Sequence, residues 1–151
     1  MKKKCMYIIG LLFFWFTLDM TGAKIGEIIL VEAAWNTIDG VWWLIFLALS
    51  LLFFYKDKVG RYLLLVFVSL WAIIQFSSHW SYTIFGVSKE KLVSYNDFFK
   101  DTYHIIPASD EILIPDFYHI ILHILILVAL YYLIFYIFRS NELEKENDKV
   151  D

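Results

Sequence analysis

Residues 115–138 read PDFYHIILHILILVALYYLIFYIF, a polar beginning followed by a long apolar run. The run is long enough to cross the ~30 Å hydrocarbon core of a membrane as one helix. At about 100° per residue, Asp116, His119 and His123 fall within about 60° of one another on one helical face. Ionisable side chains inside a membrane helix are rare and indicate a functional site. This stretch therefore predicts both a membrane protein and the position of its site.

The composition also indicates a membrane protein. Of the 151 residues, 60% are apolar and 19% are charged, whereas soluble domains are nearer half apolar and a quarter charged. The apolar residues form continuous runs, which excludes the alternation that a lipid-facing β-barrel requires. A net charge of −3 provides no basic surface for nucleic acid. With Cys5 as the one cysteine, no internal disulfide and no cysteine-based metal site is possible.

Four apolar runs predict an all-α, polytopic membrane protein, a four-transmembrane-helix bundle that forms a single domain over residues 1–151. The predicted spans are residues 5–22, 41–55, 62–85 and 117–138. The first span is short, and Lys2-Lys3-Lys4 before it and Thr21-Gly22-Ala23 after it also fit a cleaved signal peptide. Trp15 favours a retained anchor, and the other three spans are the same in both interpretations.

Two polar segments lie on one side of the predicted bundle. Within residues 23–40, Glu32, Asn36 and Asp39 lie at spacings of four and three, which predicts a short amphipathic helix at the membrane surface. Residues 86–115 are too long for a simple connection and too apolar to be disordered, and a second surface helix is expected within them, over residues 89–101. We therefore expect residues 23–40 and 86–115 to form an extracytoplasmic cap of short interfacial helices.

Charge asymmetry predicts the orientation. The N-terminus, the turn at residues 56–61 and the tail at residues 139–151 together carry nine of the thirteen Lys and Arg residues. By the positive-inside rule these segments lie in the cytoplasm. The sequence thus predicts a multi-pass protein of the cell membrane with both termini cytoplasmic, the tail being a frayed helix or a solvated end.

The four histidines then fall on the outer side of the bundle. His79 and His123 lie at matching depth, on the order of 9 Å below the outer surface, and the third and fourth spans run antiparallel. His104 and the acidic residues of the outer side, among them Asp19, Glu32 and Asp39, are expected to close over the top. Gln75, Ser78, His79 and Tyr82 share one face of the third span, which is expected to meet Asp116, His119 and His123 of the fourth.

Three chemistries fit this set of residues. A divalent metal ion, zinc or iron, would be held by His79, His119, His123 and Asp116. Metal-free acid–base or acyl-transfer chemistry would use Asp116, His119 and His123, with Ser77 or Ser78 as the nucleophile. Haem between His79 and a histidine of the fourth span is the third. A hydrogen-bonded network that only fixes helix packing fits as well.

At this depth the expected substrate is a lipid or a lipid-linked group, so the leading prediction is a membrane-embedded hydrolase or an acyl or lipid transferase. The first alternative is a non-enzymatic membrane protein, namely an accessory subunit, an immunity-type protein or a binding module. In that case residues 86–115 would be the contact surface for a protein partner. The second alternative is a haem-binding membrane subunit. The residues alone do not choose between an enzyme and a binding protein.

Overall fold

Four long helices dominate the structure, a computed structural model that describes residues 1–147. They are Lys2–Thr21, Ile38–Tyr55, Asp57–Phe85 and Phe117–Glu146, each long and apolar enough to cross a membrane. This confirms the prediction of a mostly helical chain with four candidate membrane spans. The four helices are compatible with a multi-pass membrane protein.

The secondary structure runs in the following order. The chain consists of α1 (Lys2–Thr21), β1 (Ala23–Ile25), β2 (Ile28–Val31), α2 (Ile38–Tyr55), α3 (Asp57–Gln75), a π-helical turn (Phe76–Trp80), α4 (Ser81–Phe85), α5 (Lys89–Phe98) and α6 (Phe117–Asn147). Since α3, the π-helical turn and α4 follow one another without a break, they form one helix. The predicted tail continues α6 as far as Asn147, and residues 148–151 lie outside the described residues.

The long helices pack as a bundle in which α1 and α3 each contact α2 and α6. Aromatic rings fill its centre: the ring of Trp71 lies 4.6 Å from that of Phe16 and 5.4 Å from that of Phe46. Near the turn between α2 and α3 the backbones come unusually close. A Cβ atom at Gly60 would lie 2.3 Å from the Cα of Phe53, so this approach requires glycine.

The amphipathic helix predicted within residues 23–40 is wrong, because β1 and β2 form an antiparallel hairpin there. Its two-residue turn is Gly26-Glu27, and Gly26 has a φ of 61°. A positive φ only at the first central residue is the pattern of a type II′ turn, which matches the twist of the flanking strands. The β-branched residues on both sides favour strands as well.

Glu32, Asn36 and Asp39 therefore do not share one helix as predicted. Asp39 belongs to the first turn of α2, where its backbone N–H donates to the side chain of Thr37, the N-cap residue. Glu32 and Asn36 lie in the connection between the hairpin and this cap. The acidic residue of this first turn is also favourably placed at the positive end of the helix dipole.

The connection at residues 86–115 contains α5 and is otherwise irregular. It is held in place by backbone and side-chain hydrogen bonds. The N–H of Tyr103 donates to the carbonyl of Ile29 in the hairpin at 2.7 Å. The hydroxyl of Thr83 donates to the carbonyl of Leu113 at 2.6 Å. These bonds join the connection to the hairpin and to the end of α4.

Candidate functional site

A cavity of about 400 Å³ lies where α1, α3, α6, the hairpin and residues 86–115 meet. Its walls combine apolar side chains with an unusual number of ionisable ones. Five of the residues that the sequence predicts to meet do line it together: Gln75, Ser78, His79, Asp116 and His119. The cavity is therefore the candidate functional site.

Asp116 is the residue just before α6, and it both caps this helix and holds the ring of His119. One carboxylate oxygen accepts from the backbone N–H of His119 at 2.9 Å, the usual bond of an N-cap residue, and lies 2.7 Å from Nδ1 of the same residue. The other oxygen accepts from the hydroxyl of Thr102 at 2.9 Å. Both oxygens of the carboxylate thus accept hydrogen bonds, although Asp116 is fully buried.

This arrangement determines the protonation of the pair. Burial raises the pKa of Asp116, but the hydrogen bonds and charge of His119 and the hydroxyl of Thr102 lower it more, so that the pKa lies below its usual value. An ionised carboxylate can only accept, so Nδ1 of His119 is the donor. In the neutral ring Nε2 then carries the lone pair and can take up a proton.

His79 lies in the π-helical turn and is buried. Its Nδ1 is 2.7 Å from the hydroxyl of Tyr95 on α5, and the centre of its ring is 4.4 Å from that of His119. Burial and, to a smaller extent, the charge of Asp116 raise the pKa of Tyr95 far above its usual value. The phenol therefore stays protonated and donates to His79. Single π-helical turns inside α-helices occur frequently at functional sites.

The π-helical turn also changes the face of the third span. Tyr82, which the sequence places on the same face as Gln75, Ser78 and His79, does not line the cavity and packs against a small core around Leu92 and Tyr95. A π-helical turn contains about one residue more than an α-helical turn, whereas the sequence prediction assumed a continuous α-helix.

His123 and His104 do not line the cavity, although the sequence predicts both near it. His123 lies one helical turn, about 6 Å, further along α6 than His119. Its ring packs near Trp80, with 6.0 Å between ring centres, and its Nδ1 has no hydrogen-bond partner among the described residues. His104 has its Nε2 3.1 Å from the carbonyl of Phe99. Both histidines therefore lie outside the cavity wall.

The predicted metal site of His79, His119, His123 and Asp116 is not assembled. Within residues 1–147 no group of three or more His, Cys, Asp or Glu side chains is arranged to hold a metal ion. Haem with His79 and His119 as its axial ligands does not fit this arrangement, because a porphyrin has to lie between its two axial imidazoles. Rings with centres 4.4 Å apart leave no such space, whereas haem with His123 as the second ligand stays a prediction.

The sequence prediction missed Thr102 and Tyr95, and it expected Asp19 and Asp39 only in general terms, among the acidic residues that close over the site. Thr102 and Tyr95 come from the long connection, and no local spacing marks a residue that reaches the site through tertiary packing. Asp19 and Asp39 also line the cavity. Asp19 did carry a signal, since an acidic residue closes the apolar run of the first span.

No protein-family model matches the chain, and searches of curated proteins and of solved structures found no match. The chemistry of the cavity is therefore inferred from its own geometry.

Proposed function

We propose that the chain is a membrane-embedded hydrolase or transferase in which His119 is the general base and Asp116 orients it. The observation that carries the proposal is the 2.7 Å hydrogen bond between the two side chains in the wall of a cavity of about 400 Å³. A carboxylate that holds Nδ1 leaves Nε2 to accept a proton from the nucleophile and to return it to the leaving group.

Ser78 is the proposed nucleophile, because it lines the same cavity and is exposed to it. In this scheme His119 takes the proton of the Ser78 hydroxyl while the oxygen attacks an ester carbonyl. The acyl group is transferred to Ser78, and the alcohol leaves with the proton from His119. Water or another acceptor then releases the acyl group, again with His119 as the base. The amide of Gln75, in the same wall, is the group available to stabilise the oxyanion.

The substrate class follows from the surroundings of the site. The cavity lies at the ends of helices long enough to cross a membrane, and Phe16, Ile74 and Leu122 give it apolar walls. Such a site suits an acyl chain with its polar group near His119. The charge bias of the N-terminus, the turn at residues 56–61 and the tail supports an extracytoplasmic position for the cavity. We therefore propose a lipid or a lipid-linked group as the substrate.

The test compares histidines one turn apart on α6. Purified protein is reconstituted into vesicles of defined phospholipids, and fatty acids, lysolipids and transfer products are measured by mass spectrometry. The His119→Ala variant should lose at least about 100-fold in turnover. The His123→Ala variant is the matched control and should keep its turnover, because His123 lies outside the cavity.

Two serines provide a second matched pair. The Ser78→Ala variant should lose turnover, whereas Ser77→Ala should keep it, because Ser77 does not line the cavity. Equal turnover in the wild type and in the His119→Ala variant would show that the proposed chemistry is wrong.

A non-enzymatic binding protein is the second candidate. Phe98, Ile105 and Ile106 on the long connection are each more than half exposed, and exposed apolar groups of this kind mark interaction surfaces. This function predicts that Ile106→Glu abolishes cross-linking to a partner protein in native membranes, while His119→Ala leaves the cross-link intact. The opposite pattern would favour the enzyme.

A further inference from the structure

The charged groups in the cavity wall are all of one sign. Acidic side chains reach the cavity from α1, from the connection after the hairpin, from α2 and from the start of α6, and no Lys or Arg of the described residues lines it. The acidic residues are Asp19, Glu32, Asp39 and Asp116. A cavity with this charge attracts cations.

Asp19 stands apart from the other three. Asp116 is occupied by His119 and Thr102, the carboxylate of Asp39 accepts from the hydroxyl of Thr37 at 3.0 Å, and Glu32 is exposed to water. The carboxyl group of Asp19 is in the cavity wall, the residue is only 9% exposed, and its side chain has no hydrogen-bond or ion-pair partner within residues 1–147.

A carboxylate this buried and without a partner is unfavourable, because burial removes much of the hydration that stabilises it. A bound ammonium group would restore both the opposite charge and the hydrogen-bond donors. The surroundings of Asp19 suit such a molecule. Phe16, Ile74 and Leu122 can contact a hydrocarbon chain, and the aromatic rings of Phe98 and Phe99 in the same wall favour a cation by cation–π attraction.

We infer that the cavity binds a molecule with an ammonium group on a hydrocarbon chain, and that Asp19 is the residue that holds the ammonium group. The inference deepens the proposed function, on which it rests, by naming an amine-bearing lipid or lipid-linked amine as the class of molecule presented to His119. It concerns binding, so it can be tested without any assay of turnover.

The test is equilibrium binding of dodecylamine to the purified full-length chain in an uncharged maltoside detergent, followed by native mass spectrometry. Dodecanol and dodecanoate are the neutral and anionic controls of the same chain length. We expect one dodecylamine per chain, bound at least tenfold more tightly than either control. Equal binding of dodecanol would overturn the inference, because hydrocarbon alone would then account for the affinity.

Variants locate the ammonium group. The Asp19→Asn change keeps the size of the side chain and should lower the affinity for dodecylamine at least tenfold, while Asp19→Glu keeps the carboxylate and should retain binding. Glu27→Gln is the matched control, because Glu27 is an exposed acid in the hairpin turn outside the cavity. Circular dichroism checks that each variant is folded. Undiminished binding by a folded Asp19→Asn variant, or loss of binding by a folded Asp19→Glu variant, would overturn the assignment.

A short amine distinguishes the two sources of such a ligand. If n-butylamine binds as tightly as dodecylamine, the ammonium group comes from a soluble amine or a lysine side chain; if it binds far more weakly, it comes from a lipid. The His119→Ala variant separates this inference from the proposed function, since it should lose turnover but still bind dodecylamine. Turnover of neutral lipids without dodecylamine binding would refute the inference alone, and binding without any lipid turnover would refute the enzyme alone.

Discussion

Replacing Asp116 with alanine should be among the most damaging single changes at this end of the bundle. The substitution removes the acceptor for three hydrogen bonds, from the backbone N–H of His119, from its Nδ1 and from the hydroxyl of Thr102. Loss of the N-cap costs about 1 kcal/mol. Each of the two side-chain donors left without an acceptor costs about 1 kcal/mol or more. We therefore expect the free energy of unfolding to fall by roughly 3 to 4 kcal/mol.

Asparagine at the same position separates the cap from the charge. Asp and Asn cap helices about equally well, so Asp116→Asn should lose only the charge-assisted part of the bond to His119, about 1 to 2 kcal/mol. The Asp116→Ala and His119→Ala changes should also be non-additive. Their double-mutant cycle should give a coupling free energy of about 0.5 to 3 kcal/mol.

The assay is denaturant-induced unfolding in detergent, followed by tryptophan fluorescence. The Asp110→Ala change removes an exposed acid of the same connection and should alter stability by no more than about 0.5 kcal/mol. If Asp116→Ala unfolds at the same denaturant concentration as the wild type, or if the double-mutant cycle gives no coupling, the assignment of the Asp116–His119 pair is refuted.

Three further predictions concern pH and packing. The pKa of Asp116 lies below its unfolded value of about 3.9, so its contribution to stability is complete above that pH and is lost as the pH falls through the folded-state pKa. When the free energy of unfolding is measured at decreasing pH, it should therefore fall more for the wild type than for Asp116→Asn. Equal acid sensitivity of the two proteins would contradict this. Tyr95→Phe removes the hydroxyl that donates to His79 and should lower the free energy of unfolding, measured by denaturant titration, by about 1 to 2 kcal/mol. An unchanged free energy of unfolding would mean that this hydrogen bond is absent. Gly60→Ala places a Cβ 2.3 Å from the backbone of α2 and should lower the free energy of unfolding by about 1 to 3 kcal/mol. Gly10→Ala is the control: its Cβ meets nothing within 4 Å, so it should not lower stability. Similar effects of the two changes would refute the close approach at Gly60.

The long helices, and the polar faces of the third and fourth spans that form the site, could be predicted from the sequence because each depends on a local pattern of residues. Runs of apolar residues located the four long helices. Helical periodicity placed Asp116 beside His119. The depth predicted for the third and fourth spans paired His79 with His123, whereas His79 lies against His119, one turn nearer the start of α6. A short side chain at the N-cap and a histidine three residues later form a contact that is set by helix geometry alone.

The remaining features depend on contacts that no local pattern specifies. The hairpin turn depends on the positive φ of Gly26, and the i, i+4 spacing of Glu32 and Asn36 outweighed that signal in the prediction. The π-helical turn shifts the residues after His79 to another face. Thr102 and Tyr95 reach the site only because the long connection folds back over the bundle, and such packing is not visible in spacing along the chain.

The proposed role of His119 as a base depends most directly on which nitrogen of its ring carries the proton. Nitrogen NMR of the protein labelled with ¹⁵N-histidine reports this, with the His119→Ala variant used to assign the signals and the pH set so that the ring is neutral. We expect a proton on Nδ1 and an unprotonated Nε2 in the wild type, and a loss of that preference in Asp116→Asn. A proton on Nε2 in the wild type would contradict it, because Nδ1 could not donate to Asp116 and Nε2 could not act as the base.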